Sequence, residues 1–220
     1  MATSSVIKKI SIATVGAMFI ALVTGQIAES TVLTFDDIST NFLSPIPSGY
    51  GGFNWDNFEY ISKSYINSLL PGSGYANGTV SEDYTAFNPF GTPATISSSS
   101  IFDFDGAYLT GAANNALNIQ VEGFLNGVLT NSTTVVVNID APTLFNFNFL
   151  GINELKFTSF GGIGAGIFAG DNNTQFVLDN FTFNQTATPV PEPASALSLL
   201  AFVTLGATKV MKRKQINSAS

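Results

Sequence analysis

Apolar and polar residues alternate with a period of two through most of the chain between residues 31 and 184. The clearest case is Leu117, Ile119 and Val121 alternating with Asn118, Gln120 and Glu122. Side chains two apart share one face of a strand, so this run predicts a strand buried on one side. Asn126-Gly127 follows, and residues 128–137 return. Asn-Gly between such runs predicts a type I′ hairpin, because both central residues tolerate positive φ. In residues 101–110, Phe102 and Phe104 share one face while Asp103 and Asp105 share the other. Phe145, Phe147 and Phe149 share a face of a further strand, followed by Gly151, and residues 154–160 and 175–183 finish the set. Upstream, residues 32–37 read as a first strand ending in two carboxylates, and residues 53–60 alternate aromatic with polar. Shorter candidates are Thr79-Val80, Thr85-Ala86-Phe87 and Ala94-Thr95-Ile96.

Between these runs stand breakers. Residues 45–52 hold two prolines and three glycines, a loop by composition. Residues 62–76 leave two states open, an irregular loop or one to two helical turns stopped by Pro71-Gly72. The glycine-rich stretch 161–170 lacks the Lys and following helix of a phosphate-binding loop. Roughly ten short strands without crossover helices predict an all-β fold, an antiparallel β-sandwich that is jelly-roll-like, with an immunoglobulin-like sandwich as the alternative. No repeat of the solenoid or propeller kind is present.

The two ends break the alternation. Lys8 and Lys9 precede an uncharged apolar stretch, residues 10–23, in the three-part layout of a secretory signal. Cleavage after Gly25 or after Ser30 would leave small residues near the cut; an uncleaved anchor is the other reading. At the far end, Val190-Pro191-Glu192-Pro193-Ala194 leads into a run with no charge through Thr208, then Lys209, Lys212, Arg213 and Lys214. Prolines 191 and 193 forbid helix before that point. The run approaches the ~17 residues that a short spanning helix needs, with the basic cluster on the cytoplasmic side. The predicted organisation is a signal peptide over 1–30, a β body over 31–184, a linker over 185–193, a transmembrane helix over 194–211 and a basic tail over 212–220.

Charge and composition narrow the chemistry of the body. It holds two lysines, Lys63 and Lys156, against thirteen carboxylates, a net charge of −11. Such a field repels phosphate backbones and excludes nucleic acid as a partner. The chain has no Cys and no His, which removes disulfides, thiol nucleophiles, the usual zinc ligand and the Ser-His-Asp triad. The remaining candidates rest on carboxylates and aromatics. Asp36 and Asp37 close the first strand and Asp179 lies in the last, a layout suited to a structural Ca²⁺ if those strands are neighbours; the alternative is solvated strand-end carboxylates. Tyr50, Trp55 and Tyr60 are candidates for a sugar-stacking platform, against which Trp55 also fits core packing. Asp103 with Asp105, or Glu82-Asp83, would be the carboxyl pair of a glycosidase, a pairing that arises by chance in an acidic β domain.

The C-terminal combination resembles the PEP-CTERM sorting signal of Gram-negative and cyanobacterial surface proteins. The resemblance covers roughly the last thirty residues, with Val190, Pro191, Glu192, Pro193 and Ala194 as the sorting motif and Lys212, Arg213 and Lys214 as the basic anchor. It implies processing by an exosortase, an inner-membrane intermediate and delivery to the cell surface or extracellular matrix. An ordinary C-terminal membrane anchor is the alternative. The body also resembles the ectodomains in front of such tails, through Gly52-Phe53-Asn54-Trp55-Asp56-Asn57-Phe58 and Leu178-Asp179-Asn180-Phe181, a likeness that brings no activity with it. The function expected is a non-catalytic surface module for extracellular polysaccharide. The alternatives are a purely structural surface component and a carbohydrate-active enzyme.

Overall fold

The computed structural model describes residues 30–38, 41–171 and 173–185. The predicted linker motif, apolar helix and basic tail, and the signal peptide apart from Ser30, lie outside the described residues. Among the described residues, no helix is long and apolar enough to cross a membrane.

The described residues form an antiparallel, predominantly β structure. In chain order its strands are β1 (Thr31–Leu33), β2 (Leu43–Pro45), β3 (Asn54–Asp56), β4 (Glu59–Ser62), β5 (Tyr84–Phe87), β6 (Ala94–Gly111), β7 (Asn114–Asn115), β8 (Leu117–Leu125), β9 (Val128–Val137), β10 (Thr143–Phe160), β11 (Ile163–Gly164) and β12 (Phe176–Gln185). The helices α1 (Lys63–Leu69) and α2 (Gly74–Asn77) lie between β4 and β5. The main path runs β2-β4-β5-β12-β6-β10-β8-β9, with β1 beside β12 and β3 beside β6; β7 and β11 pair separately.

Two long strands organise this sheet. Residues 95–97 of β6 lie between β3 and the second part of β10, while its residues 102–109 lie between β12 and the first part of β10. Sequence patterning predicts each long strand as two pieces, and the structure joins them. In β10 the join passes through register shifts next to Asn148 and Gly151, both at positive φ. These are bulges, which turn a strand without ending it. In β6 the join is a polar stretch in which Ser100 N–H donates to the Ser98 hydroxyl.

The Asn-Gly hairpin forms as predicted. Asn126 and Gly127 have φ of 50° and 78°, and Leu125 pairs with Val128 across them. Three other expectations are revised. The first strand ends at Leu33 because Phe35 turns to φ 65°. Thr79-Val80 is not a strand, since the Val80 N–H is taken by the Asp179 carboxylate. The undecided stretch is helical: Ser62 caps α1 by accepting from Tyr65 N–H, and Ser73 caps α2 by accepting from Ala76 N–H. Pro71-Gly72 falls in the break between them. Gly74 is required there, because a Cβ would lie 1.7 Å from the Gly111 carbonyl oxygen.

The core is aromatic. Phe53 meets Phe102, Phe181 and Phe183 edge-on at 4.9, 5.5 and 4.8 Å, and Phe104 stacks on Phe181 at 4.9 Å. Pairs of this kind contribute ~0.5–1.5 kcal/mol each beyond the area they bury. In a chain without disulfides, that packing is the main source of cohesion.

Candidate functional site

The strand alternation that buries Leu117, Ile119 and Val121 turns their neighbours outward, and the pairing arranges those neighbours in rows across β3, β6, β10, β8 and β9. The first row runs Asn54, Ser97, Glu154, Phe124, Leu129. The second runs Asp56, Thr95, Lys156, Glu122, Ser132, and the third Thr158, Gln120, Thr134. The fourth is Phe160, Asn118, Val136. All of these side chains are exposed or half-buried.

The face is therefore a polar belt bounded by two apolar ends. Phe124 and Phe160 mark those ends, six residues apart along antiparallel neighbours, about 20 Å at the usual strand rise. Lys156 Nζ lies 3.9 Å from Glu122 Oε2 across β10 and β8. At this exposure the pair contributes ~0–1 kcal/mol, so both ends retain hydrogen-bonding capacity. Gln120 Nε2 donates to the Ser132 hydroxyl at 3.4 Å and Asn118 Nδ2 to the Phe160 carbonyl at 3.4 Å. The belt thus offers amides, hydroxyls, a carboxylate and an ammonium between the half-buried ring of Phe124 and the exposed ring of Phe160.

The residues singled out by sequence occupy other places. Tyr50, Trp55 and Tyr60 do not make a stacking platform: Trp55 and Tyr60 are buried in the core, and Tyr50 is half-buried against Phe35. The Trp55 indole N–H donates to the Tyr50 carbonyl at 3.0 Å. Tyr50 donates its hydroxyl to Asp37 at 2.8 Å. Burial, and then that hydrogen bond, push its phenol well above the ordinary range. The single strand expected over residues 53–60 is instead two, β3 and β4, divided at Asn57 with φ 57°, and the aromatic side of both faces inward.

The first and last strands are neighbours, β1 pairing with β12 through Leu33 and Phe181. The acidic residues there clamp a loop. Asp179 is fully buried and accepts from Val80 N–H at 2.6 Å, Ser81 N–H at 3.1 Å, the Ser81 hydroxyl and Asn180 N–H at 2.7 Å. Its carboxyl is lifted by burial to about 6, against the lowering effect of those donors. Asp36 accepts from the N–H groups of Asp83 and Tyr84, both at 3.0 Å. A calcium ion bound by Asp36, Asp37 and Asp179 would have to displace these donors, and no group of three or more metal-ligating side chains occurs among the described residues.

Of the carboxyl pairs considered for glycosidase chemistry, Asp103, Asp105 and Asp83 are likewise engaged. Asp103 accepts from Gly151 N–H at 2.7 Å, and Asp105 from Asn184 Nδ2 at 2.9 Å and the Ser30 hydroxyl at 3.2 Å. Asp83 accepts from the Ser62 and Ser64 hydroxyls and Ser64 N–H at the start of α1. A cleft of about 470 Å³ beside it is lined by Lys63, Ser64, Asn67, Asn77, Asp83 and Asp140. It is open, and Asn77 already donates to the Ile139 carbonyl.

The two sequence motifs, residues 52–58 and 178–181, meet each other. Phe53 and Trp55 of the first lie 5.5 and 5.7 Å from Phe181 of the second. Asn57, at φ 57°, donates to the carbonyls of Thr92 and Pro93. Both motifs are therefore structural. Sequence reading did not find Phe124, Lys156 or Phe160 as site residues. The alternation showed that 118, 120 and 122 face outward, but the pairing of 154–160 against them is long-range.

No family model and no curated protein matches the chain. Solved structures do. A DUF4465 family protein from Bacteroides caccae superposes with a TM-score of 0.55 at 10% identity, covering 71% of this chain and 99% of that one. A DUF4465 family protein from Bacteroides ovatus gives 0.42 at 10% identity, with 71% and 94% covered. The tandem CBM22 domain of Xyn10C from Paenibacillus barcinonensis gives 0.36 at 10% identity, with 76% and 48% covered. The first of these likenesses identifies a shared fold.

Proposed function

We propose that the chain is an exported surface or matrix protein whose β body, a jelly-roll-like sandwich, is a non-catalytic module that binds extracellular polysaccharide along the belt between Phe124 and Phe160. The observation that carries this is the open face itself. Sugars present hydroxyls that pair with planar amides and carboxylates, and C–H faces that lie on aromatic rings. Asn118, Gln120, Glu122, Lys156 and Thr158 supply the first kind of contact, and Phe124 and Phe160 the second. A body charge of −11 favours a neutral polysaccharide over an acidic one. The absence of His and Cys from the sequence, together with the engagement of Asp103 and Asp105 by structural donors, supports a binding role over a catalytic one.

Export and sorting rest on the residues at the two ends. In this reading the Val190–Ala194 motif is processed by an exosortase while the 194–211 segment holds the chain in the inner membrane. Intact mass of the protein from its own host tests that step: a C-terminus near residues 191–194 is expected, and a chain that retains Lys212 to Ser220 overturns it. Affinity electrophoresis through neutral polysaccharides tests the belt. Retardation by at least one of them is expected, with Phe160→Ala weakening it about threefold to tenfold, the worth of one exposed ring contact. Equal mobility of both proteins in every polysaccharide overturns the assignment.

A further inference from the structure

We infer that β9 is a pairing edge through which two copies of this chain join sheet to sheet. The main path ends on β9, whose outer side has no strand partner among the described residues. It is ten residues long, about 34 Å at the rise of an antiparallel strand. Among the other edges, β1, β2 and β3 have three residues each, β2 also ends in Pro45, and the first part of β10, paired with β6 alone, is bent by bulges at Asn148 and Gly151. Short edges and prolines are the usual protection against strand addition. β9 has neither.

Its sequence removes the remaining protections. Residues 128–137 read Val-Leu-Thr-Asn-Ser-Thr-Thr-Val-Val-Val, with no charge and no proline in a body that carries thirteen carboxylates. Edge strands are ordinarily blunted by a Lys or an inward-pointing charge. Val128, Leu129 and Val136 are instead exposed, by 65, 50 and 56%.

The occupant follows from charge and from the side chains. Two copies, each at −11, repel one another wherever carboxylates face each other, and β9 is a long edge that presents none. Glu122 on the strand behind it is paired with Lys156. Antiparallel addition about a two-fold axis normal to the sheet keeps each side chain on its own face. With the axis at Thr133, Ser132 then meets Thr134 on the exposed face, while Thr133 meets its copy and Asn131 meets Val135 on the other. Cross-strand Ser–Thr and Thr–Thr pairs are favourable. A free row of N–H and C=O groups demands a strand, and an identical uncharged strand is the complementary one. This pairing needs no ligand on the belt and stands apart from the polysaccharide reading.

The test uses the protein as purified from its host, its chain mass known from the intact-mass measurement, with solution mass read by light scattering. The wild-type protein is expected at twice the chain mass. Ser132→Lys with Thr134→Lys places charges on two exposed edge positions and is expected to halve the mass while leaving the β-sheet circular dichroism spectrum unchanged. Because the chain has no cysteine, single Cys replacements scanned over residues 131–135 give a clean second reading. At the position nearest the two-fold axis, oxidation is expected to give a disulfide-linked dimer. A wild-type chain that stays monomeric at every attainable concentration overturns the inference. So does a dimer that survives both lysines and never cross-links through these positions, since it would be held by another surface.

Discussion

Asp179 shows what one buried carboxyl does to this molecule. Its folded-state value is about 6 against an ordinary 3.8. As pH falls from 7, the folded chain takes up this proton near 6, while the unfolded chain waits until near 3.8. Between those values the folded state binds more protons, so its stability rises as pH falls, by about 3 kcal/mol for a shift of this size. Asp83 acts in the opposite sense. Burial opposes its ionisation, but the Ser62 and Ser64 donors and the Lys63 charge together hold its carboxyl below 3.8. Stability from Asp83 is present above the unfolded value and lost as pH falls through its lower folded value. The melting temperature is therefore expected to rise by several degrees from pH 7 to about 4.5, then turn down below about 4. Asp179→Asn should flatten the rise and leave the acid limb. A wild-type curve that falls steadily from pH 7 to 4.5 would contradict this assignment.

Elements were legible where the pattern was local. The hairpin β8–β9 was readable because Asn126-Gly127 requires a turn and the flanking runs alternate without interruption. Gly127→Val puts a β-branched residue at φ 78°, a conformation that costs ~1–3 kcal/mol. Calorimetry should show the melting temperature several degrees lower, and an unchanged value would mean that the turn adapts freely. Where pairing partners lie far apart in sequence, the reading was incomplete. Ser97 to Ser100 looks like a break because polar residues interrupt the apolar period, yet β6 continues through it. Phe160 looks like one more core phenylalanine until its partner Asn118 shows which face it occupies. Trp55 and Tyr60 were drawn into a binding role by their chemistry, but their alternation could not say which side was the core. The placement of β3 against β6 decides that.

At the scale of the whole molecule, the order of the strands in the sheet differs from their order in the chain. β12 is the last strand among the described residues, and it occupies the middle of the main path, with β6 on one side and β5 and β1 on the other. It supplies Phe176, Leu178, Phe181 and Phe183 to the core and Asp179 to the loop clamp. A chain that has emerged only as far as residue 170 therefore lacks the strand that joins its two flanks, and contacts such as Thr31 with Phe183 close almost the entire body in one step. Long-range closure of this kind is slow. Folding is thus gated by β12: until residues 176–185 are in place, the flank that carries β2, β4 and β5 has no strand joining it to the flank that carries β6, β10, β8 and β9.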